Sequence, residues 1–112
     1  MTDNSGILDG KSITYQYEDL GTVKLNFELG LLSFEWIEGP YKGASGQDHN
    51  YVAKKVGSEI FLNWFEEKDS SLITLLIDLE QSRVHSSGLI SPKSEDEMVL
   101  FHEATIVSHN FN

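Results

Sequence analysis

From Lys11 onward the chain repeats one pattern: short runs in which apolar or aromatic residues alternate with polar ones, each closed by turn residues. Successive side chains of a strand point to opposite faces, so each run offers a single apolar face. Ser12 to Glu18 places Ile13, Tyr15 and Tyr17 together, and the next run places Val23, Leu25 and Phe27 together. Leu31 to Glu38, Asn50 to Val56, Glu59 to Glu66, Leu72 to Leu79, Arg83 to Ile90 and Met98 to Ser108 continue the series. The links are short and polar, among them Leu29-Gly30, Gly57-Ser58 and Glu80 to Ser82, and Tyr41 to His49 is the longest break. Short links make neighbouring strands antiparallel. Eight such strands without a long crossover predict an all-β fold, an eight-stranded antiparallel up-and-down barrel, with a flattened sandwich as the alternative. Ser94 and Glu97 have the spacing of a helix capping box, but Ala104 to Val107 favours β structure, and a helix there would leave the first strand unpaired. The last strand is expected to bulge near Ala104, where its alternation slips.

Composition sets the outer limits. The chain has 112 residues, of which 39% are hydrophobic, enough for one core and one domain. That domain is expected over residues 11–112, after a flexible N-terminal segment over residues 1–10. A net charge of −10 without a basic run argues against nucleic acid and anionic membrane surfaces. Cysteine is absent, so neither disulfides nor thiolate metal sites are available. With no signal-like start and no apolar run of spanning length, a cytoplasmic location is the expectation.

Most chemical motifs dissolve on inspection. Gly10-Lys11-Ser12 looks like the end of a phosphate-binding loop, but Ser5 stands where that motif needs glycine and a strand follows where it needs a helix. His49, His85, His102 and His109 fall on separate segments without paired spacing, so no metal or other cofactor is expected. The informative set is Tyr15, Tyr17, Trp36, Trp64 and Glu66. Ile60, Leu62, Trp64 and Glu66 alternate along one strand, so an inward Trp64 brings the Glu66 carboxylate to the end of the barrel interior. Tyrosine hydroxyls are natural partners for such a group. The plainer reading is that the aromatic residues pack and Glu66 is solvated at its strand end.

Around these residues the chain resembles the calycin-type barrels that include the MoaF-like proteins and the bacterial phenolic acid decarboxylases. The resemblance is carried by Gly10-Lys11-Ser12-Ile13-Thr14-Tyr15-Gln16-Tyr17, by Phe34-Glu35-Trp36-Ile37-Glu38-Gly39-Pro40-Tyr41-Lys42-Gly43, and by Ile60-Phe61-Leu62-Asn63-Trp64-Phe65-Glu66. Leu75 to Leu79 leading to Val84-His85-Ser86-Ser87-Gly88 completes it. It implies a lipocalin-like barrel with a central cavity and, for the decarboxylases, loss of carboxylate from a hydroxycinnamic acid without a cofactor. By that resemblance the tyrosine pair lining the cavity corresponds to Tyr15 and Tyr17, and the glutamate to Glu66. The arginine of the pattern falls on Glu35, which reverses its charge, and the C-terminal extension of the decarboxylases has no counterpart. The resemblance directs Glu35 inward, whereas the alternation directs Phe34 and Trp36 inward, and adjacent strand residues cannot share a face.

These readings define three functions. The first is a binding barrel for a small aromatic molecule, with Tyr15, Tyr17, Glu35, Trp36, Trp64 and Glu66 as its candidate contacts. The second is a lyase related to the phenolic acid decarboxylases, with Glu66, Tyr15 and Tyr17 in proton transfer and positioning. The third is a protein-interaction module whose exposed sheet edge or apolar outer face makes a homodimer. Two glutamates in one cavity would suit a neutral or cationic ligand better than a carboxylate.

Overall fold

The computed structural model describes residues 7–68 and 70–111. They form eight strands: β1 (Ser12–Tyr17), β2 (Gly21–Glu28), β3 (Leu31–Glu38), β4 (Ser45–Val56), β5 (Glu59–Glu66), β6 (Ser71–Asp78), β7 (Arg83–Ile90) and β8 (Met98–His109). Each strand pairs with its sequence neighbours, and β8 returns to β1, so the sheet closes as an antiparallel barrel in chain order. The closing ladder runs from Ile13 opposite His109 to Tyr17 opposite Ala104. Closure gives every strand a hydrogen-bonded neighbour on each side, so none of the eight is an edge strand.

Period two decides what fills the interior. Ile13, Tyr15 and Tyr17 of β1 are buried, as are Val23, Leu25 and Phe27 of β2, Ile60, Leu62 and Trp64 of β5, and Leu75 and Ile77 of β6. Each such side chain is worth about 1.5–3 kcal/mol of apolar transfer when fully removed from water. The outer face also carries an apolar row. Phe65, Leu72, Leu89 and Val99 stand opposite one another across β5 to β8, each at least 38% exposed.

Two details differ from the sequence-based expectation, and the rejected capping-box helix is absent from the described residues. β4 begins at Ser45 instead of Asn50, because Ser45 and Gly46 pair with Glu35 and Phe34 of β3. The extra residue this pairing requires is absorbed beside Asp48, whose φ of 62° is left-handed. The bulge of β8 lies at Val107, where Thr14 opposes Ser108 and Tyr15 opposes Ile106. The capping-box residues build a turn, with the Lys93 N–H donating to Glu97 Oε1 at 2.7 Å and the Asp96 N–H to Ser94 Oγ at 3.1 Å.

The two ends of the barrel are unlike. At one end residues 7–10, expected as part of a flexible leader, form a turn across the opening, and residues 1–6 of that segment lie outside the described residues. Leu8 is buried, the Leu8 N–H donates to the Tyr51 hydroxyl at 3.0 Å, and that hydroxyl donates to Asp9 Oδ1 at 2.8 Å. The Asp9 carboxylate also accepts the Gly30 N–H of the β2–β3 turn. Phe27 meets Tyr51 edge to face at 4.9 Å, and Phe111 closes over Phe27 from the C-terminal side.

At the other end, the turn before β2 and the turn after β3 lie back to back. Gly21 and Gly39 both take positive φ, and a Cβ on Gly21 would stand 2.2 Å from the Glu38 carbonyl oxygen. Beside them β3 carries an extra residue, since Thr22 opposes Glu38 while Val23 opposes Trp36. This contact seats Leu20 against the interior.

Gly21→Ala is expected to cost about 2 kcal/mol or more, because it adds a backbone clash to an unfavourable φ. Gly57→Ala, at positive φ in open space, is expected to cost about half as much. Urea unfolding of both variants checks this, and equal losses would remove the packing argument. Tyr51→Phe strips a partner from both Leu8 and Asp9 and is expected to lose about 1–3 kcal/mol in the same measurement.

Candidate functional site

The glycine-locked end of the barrel is not filled. A cavity of about 200 Å³ lies there, walled by the ends of β1, β3, β5 and β7 and the beginnings of β2, β6 and β8. Its walls are mostly apolar, with Val23, Leu25, Phe34, Ile73, Ile90 and Leu100 among them. The aromatic surfaces are Tyr15, Tyr17, Trp36 and Trp64, and the polar groups are Tyr17, Glu66, Ser86, Ser87 and His102.

The tyrosines sit on the inner register of β1. Tyr15 is 2% exposed and meets the Tyr17 ring edge to face at 5.5 Å. Its hydroxyl is hydrogen-bonded to that of Tyr17, which donates to Ser86 Oγ at 2.9 Å, and Ser86 Oγ donates onward to the His102 carbonyl at 3.4 Å. A polar thread thus crosses from β1 through β7 to β8 inside an apolar wall. Burial pushes both phenols above their ordinary range, Tyr15 further than Tyr17, and the Ser86 hydrogen bond partly offsets the effect at Tyr17. Both remain neutral donors at physiological pH. Tyr17 also stacks on Trp36 at 6.0 Å and meets the His102 ring edge to face at 5.8 Å.

Trp64 and Glu66 lie two residues apart on β5, hence on one face. Trp64 is buried, and its indole N–H donates to Glu66 Oε2 at 2.9 Å. Glu66 is half-buried at the rim, held against the wall by that bond. The carboxylate is thus neither deep in the barrel nor free in bulk water.

Five of the six candidate contacts, Tyr15, Tyr17, Trp36, Trp64 and Glu66, line this one cavity. Glu35 does not. It is exposed on the outer face of β3, opposite Lys24 of β2, while Phe34 and Trp36 face inward. The inward placement suggested by the resemblance is corrected here for a simple reason: period two leaves room inside for the two rings or for the carboxylate, and burying the carboxylate is the costlier choice. Phe34 faces the cavity as the alternation directs, whereas Ser86 and His102 are cavity residues that the sequence reading passed over. The signal that could have found them is register, since Ser86 alternates with Val84 and Gly88, and His102 with Leu100 and Ala104. Among the described residues no group of three or more His, Asp and Glu could hold a metal ion.

No protein-family model matches the chain, and no curated protein does. Among solved structures, a Burkholderia vietnamiensis protein provisionally named a beta-lactamase superposes with a TM-score of 0.74 at 16% identity, covering 95% of this chain and 97% of that one. At that identity the likeness concerns the fold alone, over nearly the full extent of both chains.

The phenols give a pH signature. In the unfolded chain they ionise near pH 10. In the folded chain Tyr15 and Tyr17 keep their protons to higher pH, and Tyr51 is pushed up to about 12 by burial and by its hydrogen bond to Asp9. Their contribution to stability is therefore complete below about pH 10 and is lost as pH rises through the folded values. Unfolding free energy measured from pH 8 to 12 is expected to fall above pH 10, and less steeply in Tyr15→Phe. An unchanged slope in that variant would contradict the assignment.

Proposed function

We propose that the protein is a small-molecule-binding barrel of the MoaF-like type, taking one small aromatic or similarly apolar ligand into the open half of its interior. The observation that carries this reading is the cavity itself, about 200 Å³ with a predominantly apolar wall. An apolar cavity of about 150 Å³ accommodates benzene, so a one-ring body fits here with room for a short substituent. A few grouped polar atoms in an apolar wall are what orients a bound ligand. Here the Tyr17–Ser86 pair on one side and Glu66 at the rim play that part.

A cofactor-free lyase is the second reading, and one observation favours it: Glu66, Tyr15 and Tyr17 line the same cavity. Against it stands the charge balance. An aromatic carboxylate would meet Glu66 and no lysine or arginine among the lining residues, and a buried anion without a partner costs several kcal/mol. Binding is therefore the preferred function.

Neutral one-ring aromatics such as phenol at millimolar concentration are expected to raise the thermal midpoint, because they bind the native state alone. Leu100→Trp, whose ring occupies the cavity, is expected to fold and to lose that response. A wild-type midpoint indifferent to every one-ring aromatic would end the binding reading, and release of carbon dioxide from a hydroxycinnamic acid would replace it with the lyase.

A further inference from the structure

Among the described lining residues Glu66 has neither a lysine nor an arginine for company, and that asymmetry points to the charge of the ligand. We propose that the barrel selects a small organic cation, a protonated or quaternary amine carried on a body of about one ring, with the ammonium at the rim against Glu66 and the body in the apolar interior. This rests on the binding reading above and adds the ligand's chemical class to it.

Three observations carry the inference. First, among the described lining residues Glu66 supplies the only carboxylate, and neither lysine nor arginine joins it. The Trp64 indole N–H holds one oxygen at 2.9 Å, and a carboxylate has more acceptor sites than that single bond uses. Its orientation is therefore set before a ligand arrives, while acceptor capacity remains for a charged donor.

Second, the walls carry aromatic rings. Trp36 stacks on Tyr17 and has the Tyr41 ring at 5.4 Å, and Trp64 lies 6.3 Å from Phe34, with Trp36 and Trp64 both on the cavity wall. A cation over an aromatic face is attracted by the ring quadrupole, most strongly with tryptophan and when water is displaced. A carboxylate among such faces suits an ammonium, while a neutral ligand makes no use of the charge and an anionic one is repelled by it.

Third, the field at the mouth has the same sign. The loops around it carry Glu18 and Asp19 before β2, Glu38 at the end of β3, Glu67 after β5, and the Glu95-Asp96-Glu97 run before β8. Only Lys42, Lys68 and Lys93 oppose them there. An acidic rim around a low-dielectric opening concentrates cations and speeds their entry.

The test uses four probes of one shape and different charge: phenethylamine, benzyltrimethylammonium, 2-phenylethanol and 3-phenylpropionate. Both tryptophans of the chain line the cavity, so their fluorescence reports occupancy directly. The two cations are expected to bind at least about 10-fold more tightly than the alcohol, and the carboxylate more weakly than the alcohol. Added salt is expected to shrink the cation preference. Glu66→Gln, which keeps an acceptor for the Trp64 indole, is expected to abolish the preference, so that cations and alcohol bind that variant with similar affinity. Cations and alcohol binding the wild type alike, or a cation preference that survives Glu66→Gln, would overturn this inference and leave the binding barrel standing. Silence from all four probes would remove both. The wild-type series decides the matter without the variant, should Glu66→Gln fold poorly.

Discussion

Everything in this structure depends on the ladder between β1 and β8. It joins the two ends of the strand series, and the closed sheet then has an inside whose size is set by eight strands. An open sheet with the same sequence would expose the inner face of β1, where Ile13, Tyr15 and Tyr17 are buried at 1%, 2% and 7% exposure. The ladder also sets depth. The extra residue at Val107 in β8 shifts the pairing so that Tyr15 stands opposite Ile106 and Tyr17 opposite Ala104. The small side chain across from Tyr17 belongs to the part of the barrel where the cavity lies.

Within that fixed interior the two halves are packed differently. One half is solid, with Phe27, Tyr51, Leu8 and Phe111 meeting under the turn of residues 7–10. The Asp9 carboxylate fastens this turn to both Tyr51 and the β2–β3 hairpin, so polar and apolar contacts support each other there. The other half is held open. Its rings lean on one another, Tyr15 on Tyr17, Tyr17 on Trp36 and Phe34 on Trp64, and the Gly21–Gly39 contact fixes the rim. Stability concentrated at one end lets the other keep a void, which in a fully packed core would cost free energy in lost contacts.

Much of the fold was legible in the residues because period-two alternation and turn chemistry are local. β3, β5 and β7 begin and end where the alternation does, and Leu29-Gly30 makes the expected two-residue turn, both residues at positive φ. The segment from Ser45 to His49 was not legible as strand, since Gly46, Asp48 and the polar residues around them read as loop. Pairing with β3 and stacking of His49 on Phe34 at 5.8 Å make it one. The site divides in the same way. Tyr15, Tyr17, Trp64 and Glu66 were found from alternation within single strands. Ser86 and His102 were passed over because their place beside Tyr17 is a matter of three strands, β1, β7 and β8, meeting across the interior. Glu35 shows a family pattern and a periodicity in conflict, and the periodicity prevailed because two rings fill an apolar interior more cheaply than one carboxylate does.

The amino-acid sequence by itself determined that this chain forms strands and which side chains share a face, so that Tyr15 and Tyr17 go with Ile13, and Trp64 and Glu66 with Ile60 and Leu62. Those are properties of neighbours along the backbone, set by sterics and by the two-residue repeat of a strand. Only the tertiary structure decided that the sheet closes, that its interior is packed at one end and hollow at the other, and that Glu66 stands at the rim of the hollow with no lysine or arginine among the described lining residues. Those outcomes depend on volumes and charges brought together from distant parts of the chain, and no local pattern contains their sum.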